Sequence, residues 1–98
     1  MQEASIDRLR QAIRDLHGCE STFVESVPVL EKFEGKTVWE GVVQVFELEG
    51  HRWASRCYAW SYETDSGGRK FVAVVNSDRG RIDSPQTAVQ AAIIVVLR

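Results

Sequence analysis

The sequence predicts an α+β fold in which an antiparallel four-stranded meander lies between an N-terminal and a C-terminal helix, in the order α-β-β-β-β-α. Three observations predict it: a helical periodicity near the start of the chain, a centre rich in Val, Phe, Trp and Tyr that turn signals interrupt, and a capped apolar segment near the end. A chain of 98 residues is long enough for one compact domain and too short for two, so we expect residues 1–98 to form a single domain.

An amphipathic helix is predicted between Ser5 and His17. Its apolar residues recur at steps of three and four, as Ile6, Leu9, Ile13 and Leu16. Ser5 is a residue type that caps helix N-termini, and Gly18 suits the left-handed position that ends a helix. The sequence therefore predicts both ends of this helix.

Turn signals divide the centre of the chain into four predicted strands. The signals are Glu34-Gly35, Glu49-Gly50-His51 and Asp65-Ser66-Gly67-Gly68, and they leave strands at roughly 26–33, 37–48, 53–63 and 69–76. Strands joined by such short turns pair in the antiparallel sense, because a parallel pair needs a long crossover. Pro28 has no N–H to donate, so it places the first strand on a sheet edge or at a bulge.

A second helix is predicted to open at Asp83-Ser84-Pro85, a cap followed by a first-turn proline, and to run to the C-terminus. Gln86 and Gln90 form a narrow polar stripe on a helix that is otherwise apolar nearly all round, which indicates burial on more than one side. The β-branched segment 93–96 is also compatible with a short strand.

The alternation along the third strand suggests which sheet face each helix covers. Cys57, Ala59 and Ser61 form a small side that suits close helix packing, so we expect both helices on that face. The opposite face would then be open. Its predicted binding or interface residues are Tyr58, Trp60, Tyr62 and Trp39. The second strand is apolar on both sides, which predicts cover on both sides unless a bulge at Gly41 reverses the alternation.

Three arrangements would cover such an aromatic face. The first is a second copy of the chain, with a homodimer as the simplest homo-oligomer. The second is a helix on each face of the sheet, which would fold the aromatics into the core. The third is a small-molecule ligand that lies against the Tyr58, Trp60 and Tyr62 side chains, whose apolar rings end in polar groups.

The charge balance excludes several partner classes. A net charge of −2 and scattered basic residues argue against nucleic-acid binding, which needs clustered Lys and Arg. The apolar run from Ala91 to Leu97 is far shorter than the ~20 residues that span a bilayer, and residues 1–5 lack the pattern of a signal peptide. We therefore expect a soluble cytoplasmic protein, with no membrane partner, in which Cys19 and Cys57 are free thiols.

The residues that most often carry chemistry are sparse. His17, Cys19, His51 and Cys57 lack the close pairs typical of a zinc site, so no metal or other cofactor is predicted. We expect a binding domain without enzymatic activity, and the alternative is a small enzyme that uses His17 with Cys19 or His51 with Cys57. The segment 76–81 is the best candidate for a functional polar loop, although its composition favours a solvated loop without a further role.

Four stretches carry a resemblance to a known group of proteins: "LHGCESTFVESVPVLEKF", "GKTVWEGVVQVFEL", "RCYAWSYE" and "DSPQTAVQAAI". Through them the chain resembles small uncharacterised bacterial proteins carried in mobile gene cassettes. That resemblance implies a compact, often self-associating domain without an assigned activity, and it supplies no site residues. The order of elements is also similar to a double-stranded RNA-binding domain, but the segment 84–87 has no basic residue where that family grips phosphates.

Overall fold

A computed structural model of the protein describes residues 5–77 and 81–97, and the side chains of residues 94–97 are outside that description. The elements are α1 (Ile6–His17), β1 (Glu20–Phe33), β2 (Lys36–Glu49), β3 (Arg56–Glu63), β4 (Arg69–Val75) and α2 (Pro85–Leu97). The four strands form one antiparallel sheet in the order β1-β2-β3-β4. The predicted α+β meander with a helix at each end is confirmed.

The predicted boundaries of α1 are confirmed by its capping contacts. The Ser5 hydroxyl accepts a hydrogen bond from the Arg8 amide. Gly18 ends the helix with a φ of 68°, and its backbone N–H donates a hydrogen bond to the Arg14 carbonyl. The apolar stripe of α1 buries Leu9 and Ile13 against the sheet. The segment 93–96 belongs to α2, so its alternative reading as a strand is wrong.

The two helices lie on opposite faces of the sheet, so the prediction that both pack on one face is wrong. The cluster under α1 includes Cys57 and Ala59 of β3. The cluster under α2 includes Tyr58 and Trp60, the residues that alternate with them along the same strand. A strand projects successive side chains to opposite faces, so each helix packs on one set of β3 side chains. This is the arrangement with one helix on each face.

The strand boundaries differ from the predicted ones mainly at their polar ends. β1 begins at Glu20, earlier than the predicted start at 26, and β3 begins at Arg56 instead of 53. β1 and β2 form a hairpin of two 14-residue strands, and β2 pairs with β3 only over 44–47. The outer half of the hairpin therefore extends past the central ladder of the sheet. β1 is an edge strand, as Pro28 predicted.

The alternation along β2 is not reversed at Gly41. The register of the hairpin shifts between Phe23 and Glu25 and again between Glu31 and Lys32. Gly41 has a different role, because a Cβ atom there would lie 3.0 Å from Cη2 of the Trp39 side chain. The missing side chain lets the Trp39 indole lie over the backbone of its own strand.

Candidate functional site

The four predicted interface aromatics lie on the α2 side of the sheet, but α2 covers two of them. Tyr58 is 2 % exposed and Trp60 is 5 % exposed. Trp39 is half-buried, with its ring edge-on to Trp60 at a centroid distance of 5.5 Å. Tyr62 is 47 % exposed. The prediction of an open aromatic face is thus wrong for Tyr58 and Trp60, which belong to the core of the chain.

Hydrogen bonds attach α2 to β1 near the turn of the β1–β2 hairpin. The Gln86 amide donates to the Leu30 carbonyl and to the Glu31 carboxylate, and the Gln90 amide donates to the same carboxylate at 3.0 Å. The polar stripe of an otherwise apolar helix therefore faces a carboxylate on β1. These contacts hold α2 over one side of the hairpin, where Val27 and Val29 pack against it.

The other side of the hairpin, on the α1 side of the sheet, has much less cover. Among the described residues, the cluster under α1 contains no member from 24–45. Leu30 points to this side because it alternates with Val29, and Pro28 lies beside it with Val42 directly across on β2. Phe23 joins the same side through its edge-on contact with Phe46. We call Phe23, Pro28, Leu30 and Val42 the open strip.

The open strip is apolar and exposed in its outer part. Phe23 is 38 % exposed and Leu30 is 47 % exposed, while Val42 is half-buried. Glu40 lies directly across from Leu30, and Lys32 follows Leu30 on the same side of β1. The strip therefore ends in one acidic and one basic side chain, both exposed. The sequence does not predict this surface, because the alternation along β3 indicates an exposed face there instead of on the hairpin.

His51 is the hydrogen-bond acceptor for the turn that follows it. Its Nδ1 atom accepts hydrogen bonds from the Trp53 amide at 3.2 Å and the Ala54 amide at 3.0 Å. A neutral imidazole with an accepting Nδ1 carries its proton on Nε2. Both ring nitrogens are then committed, so neutral His51 has no free lone pair for a metal ion or for general-base catalysis.

His17 on α1 also carries its proton on Nε2. Its Nε2 atom donates to the Ala73 carbonyl at 2.8 Å, a contact that requires the proton on that nitrogen. The His17 and His51 rings are 6.2 Å apart between centroids, and no hydrogen bond between them is found. Over residues 5–77 and 81–97, no three His, Cys, Asp or Glu side chains come together as metal ligands. Part of the predicted polar loop at 76–81, residues 78–80, lies outside the described residues.

Both cysteines are free and buried in the cluster under α1. Burial raises the pKa of the Cys57 thiol to about 12, and a nearby Cys19 adds to that shift. Burial also raises the pKa of Cys19, with a smaller effect from Glu20. A reactive cysteine needs a lowered pKa, so this environment opposes nucleophilic catalysis by either residue.

Two carboxylates of β1, those of Glu20 and Glu31, have structural partners. Glu20 forms two hydrogen bonds with the Arg14 guanidinium, at 2.7 and 2.9 Å, and this pairing lowers the pKa of Glu20. Glu31 accepts from the two glutamines of α2. These two side chains connect helices to β1, which explains their positions without an acid/base role.

No protein-family model, curated protein or solved structure matches this chain. The resemblance to the cassette proteins and the likeness to a double-stranded RNA-binding domain therefore stay predictions from the sequence. In the described part of the chain, no helix is both long enough and apolar enough to cross a bilayer.

Proposed function

We propose that this protein is a non-catalytic interaction domain that associates with a second copy of itself through the open strip of the β1–β2 hairpin. The observation that carries the proposal is the uneven cover of the hairpin, with α2 packed on one side and a mostly exposed apolar strip on the other. Neutral His51 has no free lone pair to act as a base, because its Nδ1 atom accepts two amides. Cys57 supplies no reactive thiolate, because burial raises its pKa. Both observations favour binding over catalysis.

The charges at the end of the open strip suit pairing with an identical strip. A two-fold interface uses the same patch on both subunits, so it tolerates a patch whose own charges are balanced. Glu40 and Lys32 supply one charge of each sign beside Leu30. In a pair of identical strips, Lys32 of each copy can therefore pair with Glu40 of the other. The remaining residues of the strip are apolar and uncharged.

The size of the strip predicts a weak dimer. Covering a side chain that is about 40 % exposed contributes roughly 1 kcal/mol, since complete burial of a large apolar side chain contributes about 1.5–3 kcal/mol. The strips of two copies then supply roughly 6–8 kcal/mol, which is comparable with the estimated 4–15 kcal/mol cost of association. We therefore expect an equilibrium between monomer and dimer that depends on protein concentration.

Light scattering coupled to size-exclusion chromatography, run over a series of concentrations, tests the proposal. The mass should rise from 11.1 kDa toward twice that value as the concentration increases. A mass that stays at 11.1 kDa at every concentration would show that the domain does not associate with itself.

A pair of variants tests the surface. Leu30→Lys places a charge in the open strip, across from Glu40 of β2. Phe33→Glu places a charge on the same strand as Leu30, across from Lys36 of β2. Phe33 is 61 % exposed and alternates onto the α2 side. Leu30→Lys should abolish the concentration dependence and Phe33→Glu should keep it. If the wild type dimerises and both variants still do, the strip is the wrong surface even though self-association stands.

A further inference from the structure

The loop between β2 and β3 is held by two side-chain acceptors of different chemistry. Four consecutive backbone amides, those of residues 53–56, donate to side chains. The first two donate to Nδ1 of His51, and the amides of Ser55 and Arg56 donate to Oδ1 of Asn76, each at 3.0 Å. An imidazole nitrogen loses its acceptor lone pair on protonation, whereas an amide oxygen keeps its lone pairs throughout the physiological pH range.

We propose that His51 is an acid-operated latch, in which protonation of Nδ1 releases the Trp53 and Ala54 amides while the rest of the sheet stays folded. In the neutral ring Nδ1 accepts two N–H groups. A proton taken from solvent converts the ring to imidazolium, in which both nitrogens are donors. Donors then face donors at 3.0 and 3.2 Å, so the turn must open or the ring must leave. This latch is separate from the proposed self-association.

The opening should stay local, because both flanks of the turn are fixed by contacts that do not titrate near neutral pH. The Leu48 amide donates to the Ser55 carbonyl at 2.9 Å, which closes the loop above the turn. Asn76 holds the next two amides, and its own amide donates to the Arg56 carbonyl at 3.0 Å. The segment that can move is therefore limited to residues 51–54.

The opening would also change the surface around Trp53. The Trp53 ring is edge-on to the His51 ring at 4.9 Å and is 64 % exposed, while Ala54 beside it is 7 % exposed. When His51 releases both amides, the backbone of Trp53 and Ala54 loses the two hydrogen bonds that position the indole and keep Ala54 buried. The latch thus couples proton uptake to the position of an exposed tryptophan.

His17, on α1, faces His51 at 6.2 Å between ring centroids. Within the loop itself, Glu49 and Arg52 are the charged neighbours in sequence. His17 keeps its donor contact with Ala73 whether or not its own ring is protonated, because that contact uses Nε2–H in both states.

Amide NMR of the whole chain between about pH 8 and about pH 5 tests the latch. In the wild type, the amide signals of Trp53 and Ala54 should move together toward positions typical of amides without a protein acceptor. The signals of Ser55 and Arg56 should stay near their neutral positions. Circular dichroism should remain constant over the same range, since the sheet does not unfold.

His51→Asn is the matched variant, because an asparagine oxygen accepts backbone amides two residues on and does not titrate. Its Trp53 and Ala54 signals should be insensitive to pH. His51→Ala should show the released positions at all pH values and so supplies the endpoint, and His17→Gln should still show the transition. The latch is refuted if Trp53 and Ala54 titrate equally in His51→Asn and the wild type, or if all four amides move together.

Discussion

Replacing Trp60 and Tyr62 with alanine, one variant at a time, tests the arrangement with one helix on each face. The two side chains point to the same side of β3, but only Trp60 lies under α2. If α2 covers that part of the sheet, the two substitutions must differ widely in cost. If the face were open in the monomer, both rings would lie on the same uncovered surface and the costs would be similar.

The magnitudes follow from exposure. Trp60 is 5 % exposed and packs edge-on against Trp39, so Trp60→Ala should lower the free energy of unfolding by about 4 kcal/mol. Tyr62 is 47 % exposed and already has about half of its surface in water, so Tyr62→Ala should cost about 1 kcal/mol. A domain of this size has a total stability of about 5–15 kcal/mol, so the first change is severe and the second is modest.

Urea unfolding followed by circular dichroism measures both values, at several protein concentrations so that self-association is visible. With a dependence of roughly 1–3 kcal/mol per molar urea, Trp60→Ala should lower the midpoint by about 2 M and Tyr62→Ala by less than about 1 M. Trp60→Phe, which keeps a ring under α2, supplies an intermediate value if the alanine variant does not fold. Equal midpoint shifts for Trp60→Ala and Tyr62→Ala would refute the assigned position of α2.

Two further predictions concern the Cys57 thiol and Gly41. Because burial raises the pKa of Cys57 to about 12, its thiolate fraction near pH 8 is about 10⁻⁴, and alkylation should be on the order of a thousandfold slower than for an ordinary exposed thiol. The folded pKa exceeds the unfolded value near 8.5, so the thiol's contribution to stability is complete below that value and is lost as the pH rises toward 12. Rapid labelling of Cys57 in the folded protein would contradict this. Gly41→Ala places a methyl group 3.0 Å from the Trp39 ring and should cost about 1–3 kcal/mol in a thermal or urea melt. Gly68→Ala meets only the Thr64 hydroxyl at 3.3 Å and should cost less; equal costs would show that the Trp39 contact is unimportant.

The elements that local signals define could be predicted from the sequence. Ser5 and Gly18 mark the ends of α1, and the cap before Pro85 marks the start of α2. The strand order follows from turns too short for any crossover. These features depend on residues close in sequence, and a single sequence carries that information directly.

The side of the sheet on which α2 lies could not be read from such local signals. That choice depends on the apolar surface that each face of the folded sheet offers to α2, and side chains of several strands form that surface. The apolar residues at both parities of β2 and β4 did indicate cover on two faces. The small side of β3 predicts both helices on that face, but it packs only against α1, whose buried side chains include Leu9 and Ile13.

The candidate site was less predictable because its parts come from distant positions. The open strip exists because α2 covers one side of the hairpin while α1 lies elsewhere on the sheet. The acceptor role of His51 depends on the conformation of its own turn, and its surroundings include His17, 34 positions earlier in the chain. A residue type and its spacing do not reveal which ring nitrogen is occupied.

β3 contributes side chains to two separate cores, and both cores constrain its register. In a sheet with one solvated face, sliding a strand by one residue exposes its apolar side chains and buries polar ones. Here the same slide would exchange the contents of the two cores, moving Tyr58 and Trp60 beneath α1 and the small Cys57 and Ala59 beneath α2. The core under α1 would then be overpacked and the core under α2 would contain cavities, so both cores destabilise the shifted register. The volumes under the two helices therefore both specify the same register of β3.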